Sequence, residues 1–198
     1  MNVCVRRVNE WDAPAMLKVY TQAIEEGHYT HEGEVPELAE FVRRVDRYTY
    51  SRGWTLADVD GWCAGFAVAK ECFDAPDDPY MLDVEVYVME HMRGRGVGAA
   101  VEGLIHDLAE LGNRRALRAR VPESNPDAVK FFESCGYTVI RRDENFRVRD
   151  GKPEAWIVLE NKLNPADLNP NRPTKPYLVP SEDYEAARLK RGDGIREA

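Results

Sequence analysis

Three glycines, Gly94, Gly96 and Gly98, stand between a strand-like run (MLDVEVYVM, 81–89) and an apolar helical run that begins at Val97. Residues without side chains let the main chain come close to a ligand. The N–H groups of a first helical turn, here Val97, Gly98 and Ala99, lack intrahelical acceptors and carry the positive end of the helix dipole. Such a place suits an anion, most naturally a phosphate or diphosphate. Arg93 and Arg95 add formal positive charge beside it. The pattern is G-x-G-x-G, not the dinucleotide G-x-G-x-x-G, and the chain has no G-x-x-x-x-G-K-[ST] for a nucleotide triphosphatase.

Ahead of the glycines, Asp83 and Glu85 lie two positions apart in a strictly alternating segment. Alternation puts them on one face with Tyr87, spaced about 6.6–6.8 Å along the strand. Leu82, Val84, Val86 and Val88 take the other face. A strand covered by helices should not carry two idle charges, so at least one carboxylate is expected to have a task. The cysteines (Cys4, Cys63, Cys72, Cys135) have no paired spacing, and only four histidines occur, so no metal site and no structural zinc are expected. His28 and His31 flank a turn, and they, His91 and Trp54 are assigned to surface or packing.

The elements that must position these groups follow from periodicity and punctuation. A short strand is expected at 3–8. A helix is expected over 11–27, capped by Asp12 with Pro14 in its first turn, and a second over 36–50. The segments 54–59 and 62–73 form a hairpin about Asp60-Gly61. The helix from Val97 carries Val101, Leu104, Ile105, Leu108 and Leu111 on one face and ends at Gly112. A strand (116–121), a helix (127–134) and two final strands (137–148 and 155–163, joined at Asp150-Gly151) complete an α/β domain over 1–163. Residues 164–198 hold five of the twelve prolines. They are expected to form an extended arm with a short helix at 181–190, lying over a cleft or around a second subunit as in a homodimer.

The 198-residue chain has a net charge of −8, which disfavours nucleic acid as a partner. Charge is uneven: residues 22–85 hold fifteen Asp/Glu against five Lys/Arg, whereas 93–149 is arginine-rich, so two surfaces of opposite sign are expected. No apolar stretch is long enough for a membrane span and the first residues contain no signal-like apolar run, so a cytoplasmic location is expected.

The segment Arg93-Gly94-Arg95-Gly96-Val97-Gly98 resembles the R/Q-x-x-G-x-G/A motif of the GNAT superfamily of acetyl-coenzyme A-dependent N-acetyltransferases. Val86-Tyr87-Val88 stands at the matching place on the preceding strand. Asn125-Pro-Asp-Ala128 with Phe131-Phe132-Glu133-Ser134-Cys135-Gly136-Tyr137 resembles that family's N-x-x-A and (Y/F)-E-x-x-G-(F/Y) segments. The motif spacing is most similar to the phosphinothricin acetyltransferase-type branch.

The resemblance implies a GNAT fold: a mixed, mostly antiparallel central sheet with helices on both faces. It implies acetyl-CoA as co-substrate, its pantetheine arm along Val86, Tyr87 and Val88, its diphosphate on the amides of 94–99, and Asn125 beside the pantetheine. It further implies direct attack by a primary amine of a small molecule or peptide, with Asp83 or Glu85 as general base and the Val88 N–H facing the acyl oxygen. Asp83 aligns with the branch's glutamate base, but Glu85 stays open because a bulge would exchange them. Many relatives place a tyrosine acid where this chain has Phe132. Rival implications are a catalytically silent coenzyme A-binding module and a toxin acetylating aminoacyl-tRNA.

Overall fold

The computed structural model describes residues 2–27, 29–30, 32–49, 53–149, 151–163, 175–192 and 194–196. His28, His31, Asp150 and the prolines at 165, 170 and 173 lie outside them.

Seven strands form one sheet: β1 (Val3–Arg7), β2 (Trp54–Val59), β3 (Trp62–Glu71), β4 (Met81–Val88), β5 (Ala116–Pro122), β6 (Thr138–Arg149) and β7 (Lys152–Lys162). Their order is β1-β2-β3-β4-β5-β7-β6. Only β4 and β5 pair in parallel, and the other neighbours are antiparallel. The expected mixed, mostly antiparallel sheet is therefore present. The β2–β3 turn has both Asp60 and Gly61 at positive φ (52° and 83°), the backbone that the tight two-residue hairpin turn requires.

Helices cover both faces because the strands alternate. Val68, Phe66 and Trp54 pack with α1 (Ala13–Glu26) and α2 (Leu38–Thr49). Ala67, Ala69, Leu82 and Val84 face α3 (Val97–Leu111) and α4 (Pro126–Ser134). Leu104 of α3 is fully buried, and truncating such a leucine to alanine typically costs about 2–5 kcal/mol.

Local capping differs from expectation at the start of α1. Asp12 does not cap α1; its carboxylate accepts a bidentate pair from Arg6 (2.7 Å each) and the Asn9 N–H (2.8 Å). Asn9 is the cap instead, accepting from the Trp11 N–H at a short 3-10 turn, Glu10–Asp12. α3 ends at Gly112 as expected, the Gly112 N–H donating to the Leu108 carbonyl (2.9 Å), and the left-handed residue is the next one, Asn113 (φ 60°). Gly112 is required for space, because a Cβ there would lie 2.9 Å from the Leu108 carbonyl and 3.0 Å from that of Tyr177.

The chain end forms α5 (Ser181–Gly192), packed on α3 and β1. It thus lies on the face opposite α1 and α2. The Tyr184 hydroxyl accepts the Arg7 N–H (2.8 Å), and the Arg191 guanidinium donates twice to Asp107. No helix among the described residues is long and apolar enough to cross a membrane.

Candidate active site

Strands β4 and β5 pair over only three positions, Met81↔Ala116 to Asp83↔Arg118, and then diverge. The gap matters because of where β4 points its main chain. The Met89 N–H donates to the Ala64 carbonyl (3.0 Å), and the register Gly65↔Val88 makes these two residues opposite partners. Bonded pairs alternate along an antiparallel ladder. Glu85 and Tyr87 therefore spend their main-chain groups on β3, while those of Val86 and Val88 point into the gap. The expectation that Val86 and Val88 offer backbone groups has its geometric basis here.

A cavity of about 420 Å³ fills the opening. Its walls are the second half of β4, Gly94, Gly96 and Gly98 at the start of α3, Val121 and Pro122 of β5, and Phe131 and Phe132 of α4. Gly94 (φ 74°) and Gly96 (φ 90°) hold the left-handed backbone that swings the loop into the helix. Gly98 passes so close to the Phe131 ring that a Cβ would lie 3.0 Å from it. Val97 is buried on the core side, so only its main chain can serve a ligand.

The two arginines are placed differently from a simple phosphate clamp. Arg93 donates from Nε to the Val88 carbonyl (3.2 Å), from Nη1 to the Tyr29 hydroxyl (3.0 Å) and from Nη2 to Glu26 (2.9 Å). It ties the glycine loop to the end of α1. Arg95 reaches the Met92 sulfur with its guanidinium (3.9 Å) and does not line the cavity. Asn125 borders the cavity and caps α4, its Oδ1 accepting the Ala128 N–H (3.1 Å).

Asp83 and Glu85 share a face but not an environment. Asp83 is buried, with Oδ2 accepting the Phe73 N–H (2.9 Å) and Oδ1 finding no hydrogen-bond donor among the described residues. Burial pushes its pKa up, against the Phe73 N–H and the charges of Arg120 and Lys70. It sits off the cavity, under the 72–79 loop. Glu85 is half-buried on the cavity wall, paired with Lys70 and accepting the Tyr87 hydroxyl (3.0 Å).

A second cavity of about 200 Å³ lies between α1, α2 and the sheet, with Trp54, Phe66 and Tyr87 among its aromatic walls. Glu32, Glu40, Arg44, Arg47 and Lys70 stand around it, and Arg44 pairs with both glutamates (2.6 and 3.3 Å). Glu85 and Tyr87 border both cavities. Of its walls, the sequence motifs name Glu85 and Tyr87 but not the aromatic residues around them. The signal was the single-face alternation that puts Trp54, Phe66 and Tyr87 on the side of Glu85.

Other groups with chemical potential are engaged elsewhere. Tyr137 donates to buried Glu102 (2.9 Å), away from the cavity. Phe132 is a ring in the cavity wall, edge-on to Phe131 and Tyr137. Burial pushes the Cys63 and Cys135 thiols up to about 12, which disfavours a thiolate nucleophile at either. Lys130 pairs with Asp127 on the surface.

The sheet thus opens at mid-strand beside a glycine-rich helix start, and a cavity lies in the opening. Residues 13–137 match the acetyltransferase (GNAT) family. The chain belongs to that family and is an acetyltransferase by membership. It shares its fold with a GNAT superfamily phosphinothricin acetyltransferase from Sinorhizobium meliloti, solved in complex with acetyl-CoA. That match has a TM-score of 0.78 at 19% identity and covers 93% of this chain and 99% of the other. An N-acetyltransferase from Staphylococcus aureus Mu50 matches with a TM-score of 0.76 at 18% identity, over 83% and 100% of the two chains. A ribosomal-protein-alanine N-acetyltransferase from Brucella melitensis matches with a TM-score of 0.71 at 19% identity, over 80% and 99%.

Proposed function

We propose that this chain transfers the acetyl group of acetyl-CoA to the primary amine of a small molecule, with Glu85 as general base. The observation that carries the reading is the position of Glu85 on the wall common to the two cavities. One cavity follows the open β4 edge and the glycine loop, and suits the coenzyme. The other, aromatic and ringed by charges of both signs, suits the acceptor.

Acetyl-CoA fits the first cavity because the gap presents main-chain donors and acceptors on one side and helix-start amides at one end. The N–H groups of 94–99 hold the diphosphate, and the inward groups of Val86 hold the pantetheine, with the Val88 carbonyl kept by Arg93 (3.2 Å). Bound there, the coenzyme supplies an activated acyl group as its thioester. The chain supplies the rest. A free amine with pKa near 10.4 is protonated at pH 7, and removing that proton costs about 4–5 kcal/mol. Glu85 accepts it. The Val88 N–H faces the gap and donates to the acyl oxygen as charge develops, a contribution worth about 10²–10³ in rate where such donors have been removed. Phe132 has no proton to give, so the thiolate released as the C–S bond breaks is protonated by water, and the second N–H proton of the adding amine is lost to water.

The acidic excess of 22–85 favours a polycation only if it reaches the acceptor chamber uncompensated. It does not: Glu32 and Glu40 are paired with Arg44, and Glu85 with Lys70. A compact amine with an apolar body fits these walls better than a polyamine.

Thiol release from acetyl-CoA over a panel of small amines tests the reading. Glu85→Gln is expected to lower kcat by about 10²–10⁴ and leave acetyl-CoA affinity unchanged. Coenzyme binding without acceptor-dependent release would mark a binding module instead, and unchanged turnover would remove Glu85 as the base.

A further inference from the structure

Beyond α5, the chain returns to the glycine loop from outside. The Arg196 N–H donates to the Arg95 carbonyl (2.9 Å). The Gly194 carbonyl lies against Gly96, where any Cβ would collide with it. Ile195, between them, is buried with the α3-side core. Upstream, Arg191 lies across Gly103 of α3, where a Cβ would come 2.7 Å from its Nη1, and holds Asp107.

From this contact we infer that segment 194–196 is a brace that fixes the coenzyme loop in its binding conformation, with the Arg196 main chain as its positioning group. The inference rests on the reading that amides 94–99 hold the diphosphate. Arg95 and Gly96 share one peptide plane, and no cis peptide occurs among the described residues. In a trans peptide the C=O and N–H point in opposite directions. A carbonyl held outward by Arg196 turns the Gly96 N–H away from the tail, toward the side on which Gly96 lines the cavity. Without the brace, a loop with two glycines at positive φ samples other peptide orientations, and the coenzyme must restore the order when it binds.

The brace uses a main-chain donor, which sets its test. Arg196→Pro removes the N–H, and Arg196→Ala keeps it. In the full-length chain, Arg196→Pro is expected to weaken acetyl-CoA binding about three- to tenfold by calorimetry, the loss of one hydrogen bond's net effect. KM for acetyl-CoA should rise in step, while kcat and the melting temperature of the ligand-free protein hold. Arg196→Ala should bind as the parent does. A chain ending at Gly192, which removes the whole brace, should bind no better than Arg196→Pro. Equal affinity of parent, Arg196→Pro and the shortened chain overturns the brace, as does an equal loss in Arg196→Ala. If the unaltered chain itself fails to bind acetyl-CoA, the coenzyme reading fails first and the brace falls with it.

Discussion

Asp83 and Glu85 are two residues apart on one strand, and their neighbours give them different chemistry. Glu85 faces open space on two sides and holds an ammonium and a phenol. Asp83 is closed in under the 72–79 loop, with one oxygen unsatisfied among the described residues. The alternation of β4 was legible in the sequence and put both carboxylates on one face. What it concealed is that this face is only partly covered by helices. Beyond α1 and α2 it is covered by a loop and an ion network, in which Asp74 meets both Arg118 (3.1 Å) and Arg120 (3.0 Å). A buried acid whose pKa is raised binds its proton more tightly when folded, so its ionised form weakens the fold above that pKa. Asp83→Asn, similar in shape and neutral, is therefore expected to raise the melting temperature at pH 7–8 and to retain turnover. The gain should shrink as pH is lowered and Asp83 itself becomes protonated. A melting temperature lowered equally at every pH would show that the carboxylate stabilises the fold.

At the scale of elements, the strand–glycine–helix unit was legible because its signals are local. An alternating run, glycines at the exit and an apolar helical stripe specify one another over about thirty residues. The insertion of β7 between β5 and β6 was not legible, since strand order depends on contacts far apart in sequence. The docking of α5 was hidden for another reason. Ala187 is its one buried residue among those described, and polar contacts hold it: Tyr184 to Arg7, Arg188 to the Cys4 sulfur (3.6 Å), and Arg191 to Asp107. Hydrophobic periodicity cannot report such an interface. Burial pushes the Asp107 carboxyl up, and His106 and Arg191 more than offset it, bringing its pKa to about 2. A depressed carboxylate pKa contributes stability that is complete above the unfolded value, near ~4, and is lost as pH falls through the folded one. Asp107→Asn should therefore melt lower than the parent at pH 5–7. The difference should narrow between about pH 4 and 2. A gap that stays constant over that range would mean the pair does not anchor α5 through its charge.

Over the whole molecule, part of the uneven charge of the sequence is drawn into ion pairs. Arginines of the second half are held in such pairs: Arg118 with Glu160 (2.8 Å) and Arg120 with Asp143 in half-buried positions, Arg142 with Glu123 (2.7 Å) and Arg141 with Asp143 at the surface. Local charge runs in a sequence record supply, and folding decides where that supply is used. The same holds for the layout of the site. The sheet opens once, between β4 and β5, and α3, α4, α1 and the returning chain end all converge on that opening. What enters that opening decides the function. A crystal structure of the chain with acetyl-CoA is the most direct measurement. It should place diphosphate oxygens within about 2.7–3.2 Å of main-chain nitrogens of 94–99, with the acyl oxygen at the Val88 N–H and Glu85 as the nearest carboxylate. A coenzyme bound outside the β4–β5 opening, or one whose acyl group faces Asp83, would contradict it.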